Sequence, residues 1–393
     1  MNYTHWKQLL AGRSLPLAWV DLDALEANAQ TLLAQGGNLP IRIATKSIRS
    51  RAILEHILSL SPRFQGLMCY TAAEALWLAE RGFDDLLVAY PTADAAAVRG
   101  LCTQVQAGKR LWLMVDSVAH LGFLSVLAED AGVVLPLCLD LDMSSTFPGL
   151  HFGVQRSPVR TPEAAVALAE ATRNYPSLRL DALMGYEAQI AGVGDAAPGE
   201  TLKNKVIQTL QRRSFAQVSQ RRQKTVQALQ AAGFELSLIN GGGTGSLSRT
   251  TTEPGLTELT AGSGFYAPTL FDRYQHLQLQ PAAGFALVAV RKPAPAIYTC
   301  LGGGYIASGS TGPEKLPQPW LPPGQLMGLE GAGEVQTPVQ FAVDPVLELG
   351  DPILFRHAKA GELCEHFTHL HLVRDGEMGE LVPTYRGEGQ SFL

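Results

Sequence analysis

The sequence predicts a (β/α)8 barrel followed by an all-β domain. Three observations lead there: eight short apolar runs separated by helical stretches between residues 17 and 265, the near-continuous apolarity of those runs, and a loss of helical periodicity past about residue 275. A run that is apolar at every position suits a parallel strand covered on both faces, whereas a half-exposed strand alternates. Eight strand-then-helix units in such a stretch match a barrel in count and size. An open doubly wound sheet would want a Gly-x-Gly-x-x-Gly turn after its first strand, and Ala44-Thr45-Lys46-Ser47 is not one.

In chain order the runs are Ile41–Thr45, Gly66–Cys69, Leu86–Ala89, Leu111–Met114, Leu135–Asp140, Leu180–Gly185, Leu236–Asn240 and Leu256–Thr260. Helical patterns lie between them. Thr71–Arg81 ends at a Gly82 stop, and Thr161-Pro162-Glu163 sets a cap, a first-turn proline and an acid before an alanine-rich run. The basic run from Gln211 to Lys224, with Arg212, Arg213, Arg221 and Arg222, reads as the solvated face of a long helix. Farther on, Pro and Gly punctuation rises, as in Pro313–Pro323, and strand-like runs appear at Phe285–Val290, Ala296–Cys300, Gly324–Leu329, Pro352–Phe355 and His369–Val373. Leu17-Ala18-Trp19-Val20 is able to join them. The division expected is a barrel over residues 21–270 and a β domain formed by 1–20 and 271–393.

Composition excludes several classes. Of 393 residues, 46% are apolar and 17% charged, which suits a large core and not a disordered chain. Thirty-one basic against 36 acidic side chains give a net charge of −5, so no nucleic-acid partner is expected. No apolar stretch approaches the ~20 residues that span a bilayer, and Met1–Lys7 lacks the build of a signal peptide. The five cysteines are scattered and form no Cys-x-x-Cys, as expected of reduced thiols in a cytoplasmic protein.

The active site of a barrel lies at the C-terminal ends of its strands. Lys46 directly follows the first run, and a partly desolvated amine there suits imine formation. Position alone leaves open an ordinary surface lysine. Asn240-Gly241-Gly242-Gly243-Thr244-Gly245-Ser246 follows the seventh run, and Ala261-Gly262-Ser263-Gly264-Phe265-Tyr266 the eighth. Backbone N–H groups of such loops, with Thr and Ser hydroxyls, can cradle a phosphate, and barrels often hold phosphate after strands seven and eight. One glycine loop is often only a flexible turn; two at these strands favour the cradle. A lysine and a phosphate cradle in one barrel mouth point to pyridoxal 5'-phosphate.

Pro16–Asn28, followed by Ile43-Ala44-Thr45-Lys46-Ser47, resembles the start of the alanine-racemase-like (fold type III) pyridoxal-phosphate enzymes, above all their D-threonine aldolase and D-serine dehydratase branch. The resemblance runs the length of the chain. It implies that Lys46 holds the cofactor, that Gly243, Thr244, Gly245, Gly262 and Ser263 contact its phosphate, that Tyr186 lies near it, and that Arg156 lies near its phenolic oxygen. Arg156 also reads as a solvated loop cation. Tyr266 resembles the aromatic of the family's Gly-Ser-Tyr loop, displaced here by Gly264 and Phe265. The implied function is a lyase acting on a β-hydroxy amino acid, of D configuration, by retro-aldol cleavage or dehydration. A racemase and a non-catalytic cofactor-binding protein are the alternatives. The implied partners are a small amino-acid substrate and a second copy in a homodimer.

The same family carries a metal-ligand pair, His-x-Cys or His-x-Asp, soon after a Gly-Asp turn in its β domain. Here Gly350-Asp351 precedes His357-Ala358-Lys359, which puts a lysine in the second ligand position. An ammonium group is a poor ligand. His357 is then the only family-matching candidate for a divalent metal, whose presence stays open. The expectation is that no two-ligand metal site exists, that His357 acts as the base, and that Lys359 supplies positive charge near the β-oxygen. Glu330, Glu362 or Cys364 completing a rearranged metal site is the competing arrangement. His369 and His371, at i and i+2 on one strand, read as an exposed face.

Overall fold

The computed structural model describes residues 1–393. The chain divides into two compact units, one of residues 32–46, 58–262 and 392–393, the other of 1–31, 47–57 and 263–391.

The first unit is the barrel. With β1 (Leu17–Asp21) preceding them, its strands are β2 (Ile41–Ala44), β3 (Phe64–Cys69), β4 (Leu86–Val88), β5 (Leu111–Val115), β6 (Leu135–Asp140), β9 (Leu178–Gly185), β10 (Leu238–Gly241) and β11 (Glu258–Ala261). They close in the order β10-β11-β2-β3-β4-β5-β6-β9, every pair parallel. All eight expected runs are therefore barrel strands. A short hairpin of β7 (Ser145–Phe147) and β8 (Leu150–Phe152) follows β6. Helices start where their caps predict: the Thr71 side chain accepts from the Glu74 N–H, and that of Thr161 from Ala164, ahead of Pro162.

Inside the barrel, Leu87, Met114, Cys138, Ala182, Met184 and Leu238 pack together. Near the N-terminal strand ends the filling is ionic. Arg42, 1% exposed at its side chain, pairs with Glu258 at 2.7 and 2.9 Å and with Asp85 at 2.7 Å. Asn240 Nδ2 also donates to Glu258, at 2.7 Å. The cation and its carboxylates are each matched, so this end is sealed without an orphaned charge, and the chemistry is left to the other end.

The basic run lies, as expected, on a long helix, Thr201–Ala231. Its reading as a solvated face needs correction, because Gln211 and Arg222 are buried. Arg222 reaches inward and pairs with two carboxylates.

The second unit is built on β12 (Ala283–Ala294), β13 (Ile297–Leu301), β14 (Gln318–Leu321), β15 (Gln325–Leu326), β16 (Gln336–Gln340), β17 (Pro352–Arg356), β18 (His369–Arg374) and β19 (Glu377–Pro383) together with β1. The sheet runs β15-β16-β13-β12-β1-β18-β19, with β17 pairing β12 and β14. β1 lies between β12, antiparallel, and β18, parallel, so Leu17–Val20 does join the β domain. Trp19 packs against Trp6 at 4.5 Å and Trp320 at 5.6 Å between ring centroids. The border drawn at 270 lies earlier, after Gly262, and residues 47–57 cluster with the strands. Their side chains say why: Arg51 pairs with Glu388, Arg49 with Glu365, and Tyr266 Oη donates to the Ile48 carbonyl at 3.1 Å.

Candidate active site

Because all eight strands are parallel, their C-terminal ends share one mouth. Lys46 stands there, exposed, on the short 3-10 turn Thr45–Ser47 after β2. Its Nζ donates to Tyr90 Oη at 3.1 Å. Tyr90 follows β4, whose end is fixed by the Ala89 N–H donating to the Cys69 carbonyl at 2.8 Å. Arg156, in the segment after β8, brings its guanidinium carbon to 6.0 Å from the Tyr90 ring centroid, and Lys46 Nζ is at 5.8 Å. Burial would raise the Tyr90 pKa, but Lys46 and Arg156 outweigh it and hold the phenol below its usual value. Tyr186, directly after β9, has its pKa pushed up to about 12 by desolvation, with Tyr90 and Glu187 adding and Arg156 opposing. Lys46, Arg156 and Tyr186 are thus brought together, and the residue joining them, Tyr90, was missed in the sequence. A signal existed: Tyr90 closes the third apolar run just as Lys46 closes the first.

The glycine turn after β10 is braced from below. Glu187 accepts from the Gly242 N–H at 3.3 Å, from Ser246 Oγ at 2.9 Å and from Thr250 Oγ1. Arg222 donates to Glu187 at 2.9 Å and to the Gly185 carbonyl at 2.8 Å, and pairs with Glu253. Gly242 has φ +85°, which only glycine adopts without strain. A Cβ on Gly243 would lie 2.7 Å from the Ala191 Cβ and 3.0 Å from Tyr186 Cε2. The Gly243 N–H, however, is taken by Ser246 Oγ at 3.1 Å. Gly243 therefore supplies shape and not a donor, contrary to expectation. The second loop meets the first where the Gly262 N–H donates to Thr244 Oγ1 at 3.4 Å. Ser263 Oγ lies 3.3 Å from the hydroxyl of Ser47, the neighbour of Lys46.

A carboxylate group lies at the ends of β5 and β6. Asp116 pairs with His120 at 3.0 Å. Asp140 has its pKa raised to about 7, first by burial, then by Asp116 and Asp142, with Arg156 opposing. No motif in the sequence marks it.

In the β unit, His357 is 3% exposed, and the polar partner of its ring is the Ala283 backbone and no side chain. Desolvation and then Arg356 push its pKa down to about 3. A ring so weakly basic does not accept a proton at neutral pH, which counts against His357 as the base. Lys359 is exposed; its Nζ donates to Ser308 Oγ at 2.7 Å and pairs with Glu362 at 3.1 Å. Its charge is already matched, which counts against a free positive charge for the β-oxygen. Cys364 Sγ donates to the Ile48 carbonyl at 3.2 Å, and Glu362 is held by Ser308 and Lys359. These donors do not fit a divalent metal: His357 is one ligand without a second, and no three His, Cys, Asp or Glu side chains are placed to hold a metal ion. Tyr266 is buried on the Ile48 carbonyl. Of the strand pair, His369 is exposed and His371 half-buried.

The barrel mouth does fit pyridoxal phosphate. It offers a primary amine, a phenol and a guanidinium on one side, and on the other a turn whose tight glycine geometry no side chain could share.

The family model of the alanine racemase N-terminal domain matches residues 20–268. The 3-hydroxy-D-aspartate aldolase of Paracoccus denitrificans (strain Pd 1222) is 27% identical over 250 residues, 63% of this chain and 59% of that protein. The chain thus spans less than two thirds of that relative's length. Among solved structures, D-threonine aldolase from Filomicrobium marinum superposes with a TM-score of 0.80 at 20% identity, over 95% of each chain. D-threo-3-hydroxyaspartate dehydratase from Delftia sp. HT23 gives a TM-score of 0.74 at 16% identity, over 95% of this chain and 98% of the other. At such identities the two structures speak for the fold.

Proposed function

The chain belongs to the alanine racemase N-terminal domain family, and on that footing we propose that it is a pyridoxal-phosphate-dependent lyase acting on a β-hydroxy D-amino acid, by retro-aldol cleavage or dehydration. The observation that carries the reading is the Lys46 amine at the barrel mouth, hydrogen-bonded to Tyr90 and sharing that ring with Arg156. Support for the substrate class comes from the three relatives named above, each of whose names specifies a D-amino acid with a hydroxyl on the β-carbon. Lys46 holds the cofactor, and Thr244, Gly245, Gly262 and Ser263 hold its phosphate. Gly242 and Gly243 keep the turn low, and Arg156 and Tyr186 flank the ring site. When bound, the cofactor withdraws electrons from the substrate Cα, which serves either reaction. A proton-moving group proposed for the mouth is Asp140, at the C-terminal end of β6, whose carboxyl is pushed up to about 7 by burial and by Asp116 and Asp142.

The partners proposed are a small amino-acid substrate and a second copy of the chain. The β unit leaves Leu329, Val335, Val343, Val346 and Leu349 exposed, apolar surface that a homodimer contact would cover. Five buried free thiols suit the reducing cytoplasm, and no helix is long and apolar enough to cross a membrane.

The test is incubation of the protein with D- and L-threonine, serine, 3-hydroxyaspartate and alanine, with products identified. Glycine plus an aldehyde, or ammonia plus a keto acid, from a D-β-hydroxy substrate is expected. Racemised alanine without cleavage, or no turnover of any of them, overturns the proposal.

A further inference from the structure

We propose that Tyr90 is the proton partner of Lys46: its phenolic oxygen takes the proton of the lysine ammonium, so that the amine is neutral when it meets an aldehyde carbonyl. The inference rests on Lys46 as the cofactor lysine and adds a residue that neither the motif nor the relatives' names single out.

Geometry carries it. Lys46 Nζ and Tyr90 Oη are 3.1 Å apart, a direct path for a proton. Tyr90 reaches this contact from the end of β4, across the end of β3 that separates it from β2. Two cations share its ring, Lys46 at 5.8 Å and Arg156 at 6.0 Å. Tyr186 is the other titratable group beside it, and its own phenol stays protonated at neutral pH. The phenol facing Lys46 is therefore stabilised as an anion by two positive charges, and its pKa lies below the usual value although burial opposes this. Arg156 cannot itself accept a proton; its fixed charge keeps the phenolate of Tyr90 populated as the base, without competing for the proton.

The step balances. The ammonium of Lys46 and the phenolate of Tyr90 become a neutral amine and a phenol, with one proton moved and no net charge created. The amine lone pair then adds to the aldehyde carbon. Condensation forms one C=N bond and releases one water, while Tyr90 keeps the proton it took. Reversal of the same transfer protonates the amine when another amine displaces it.

The experiment uses the full chain stripped of cofactor and follows two signals that turnover does not enter. The first is the rate at which a visible band forms on adding pyridoxal 5'-phosphate, from pH 6 to 9. Tyr90→Phe is expected to slow loading by about tenfold or more at neutral pH and to move the rate profile to higher pH. Tyr90→His, which restores a titratable group, is expected to recover part of the rate. The second is an ultraviolet titration of the phenols. Wild type is expected to show one tyrosine ionising ahead of the rest, lost in Tyr90→Phe and displaced upward in Lys46→Met. The Lys46→Met titration keeps the test decisive if the phenylalanine variant does not fold. A folded Tyr90→Phe that loads at the wild-type rate with the wild-type pH profile overturns the proposal alone, as does an unmoved phenol titration in Lys46→Met. Wild type that forms no visible band, or a borohydride label on another lysine, overturns the cofactor reading first and this inference with it.

Discussion

Replacing Arg222 by methionine removes the cation shared by two buried carboxylates. The side chains of Arg222, Glu187 and Glu253 are 3%, 0% and 3% exposed, so none of the three can turn to water for compensation. Burial already raises the Glu253 pKa, with Arg222 the main opposing influence. Breaking a buried pair by removing one partner costs about 3–5 kcal/mol, because the remaining charge is left uncompensated. For a unit of 150–250 residues each kcal/mol lowers Tm by roughly 2–4 °C, so a fall of roughly 6–20 °C is expected. Because Glu187 also accepts from Gly242, Ser246 and Thr250, the glycine turn should loosen as well. The assay is a thermal melt of the full chain by circular dichroism, wild type against Arg222→Met. A triple variant with Glu187→Gln and Glu253→Gln, which removes the stranded charges, should regain most of the loss. A single variant melting within about 2 °C of wild type would show that the brace does not stabilise the turn.

Two further outcomes are expected. The folded protein keeps a proton on Asp140 up to about pH 7, whereas the unfolded chain releases it near 3.8. Stability should therefore fall as pH rises from about 4 to 7 and then level off, by at most roughly 4 kcal/mol; Asp140→Asn should flatten that slope in urea melts, and parallel curves for the two proteins would refute the assignment. Since Lys359 is tied to Ser308 and Glu362 and His357 has no fellow ligand, turnover of the substrate found in the product screen should survive dialysis against a chelator; stoichiometric zinc or manganese, with activity lost to chelator and restored by metal, would contradict this.

The barrel was legible because a parallel strand covered on both faces leaves a local trace, an unbroken apolar run. The β unit was less so. Gln318–Leu321 and Gln336–Gln340 carry prolines and glutamines, and Glu377–Pro383 alternates charge with apolar residues beside a glycine. Such strands take their identity from partners far along the chain. In the site, Lys46 and the two glycine loops were readable because each is a local motif at a strand end. Tyr90 and Asp140 matter only because closing the barrel brings strand ends together. Arg222 was hidden in plain sight beside Arg212 and Arg213, which do face solvent, since nothing in the sequence says which turn of a helix meets a buried carboxylate.

Strand β1 has a bearing on how the protein is made. It is translated ahead of every barrel strand, yet both its sheet partners, β12 and β18, follow the last of them. At ~5–20 residues per second a ribosome delivers them on the order of tens of seconds later. Throughout that interval the barrel strands, which pair largely with their neighbours in sequence, are free to fold, while Trp6 and Trp19 have no Trp320 to stack on and β1 has neither edge covered. The nascent chain thus carries an apolar strand with both edges open until β12 emerges, and with one edge open until β18 follows. A holdase that shields this segment, or slow release from the ribosome, is what the order of strands asks of the cell.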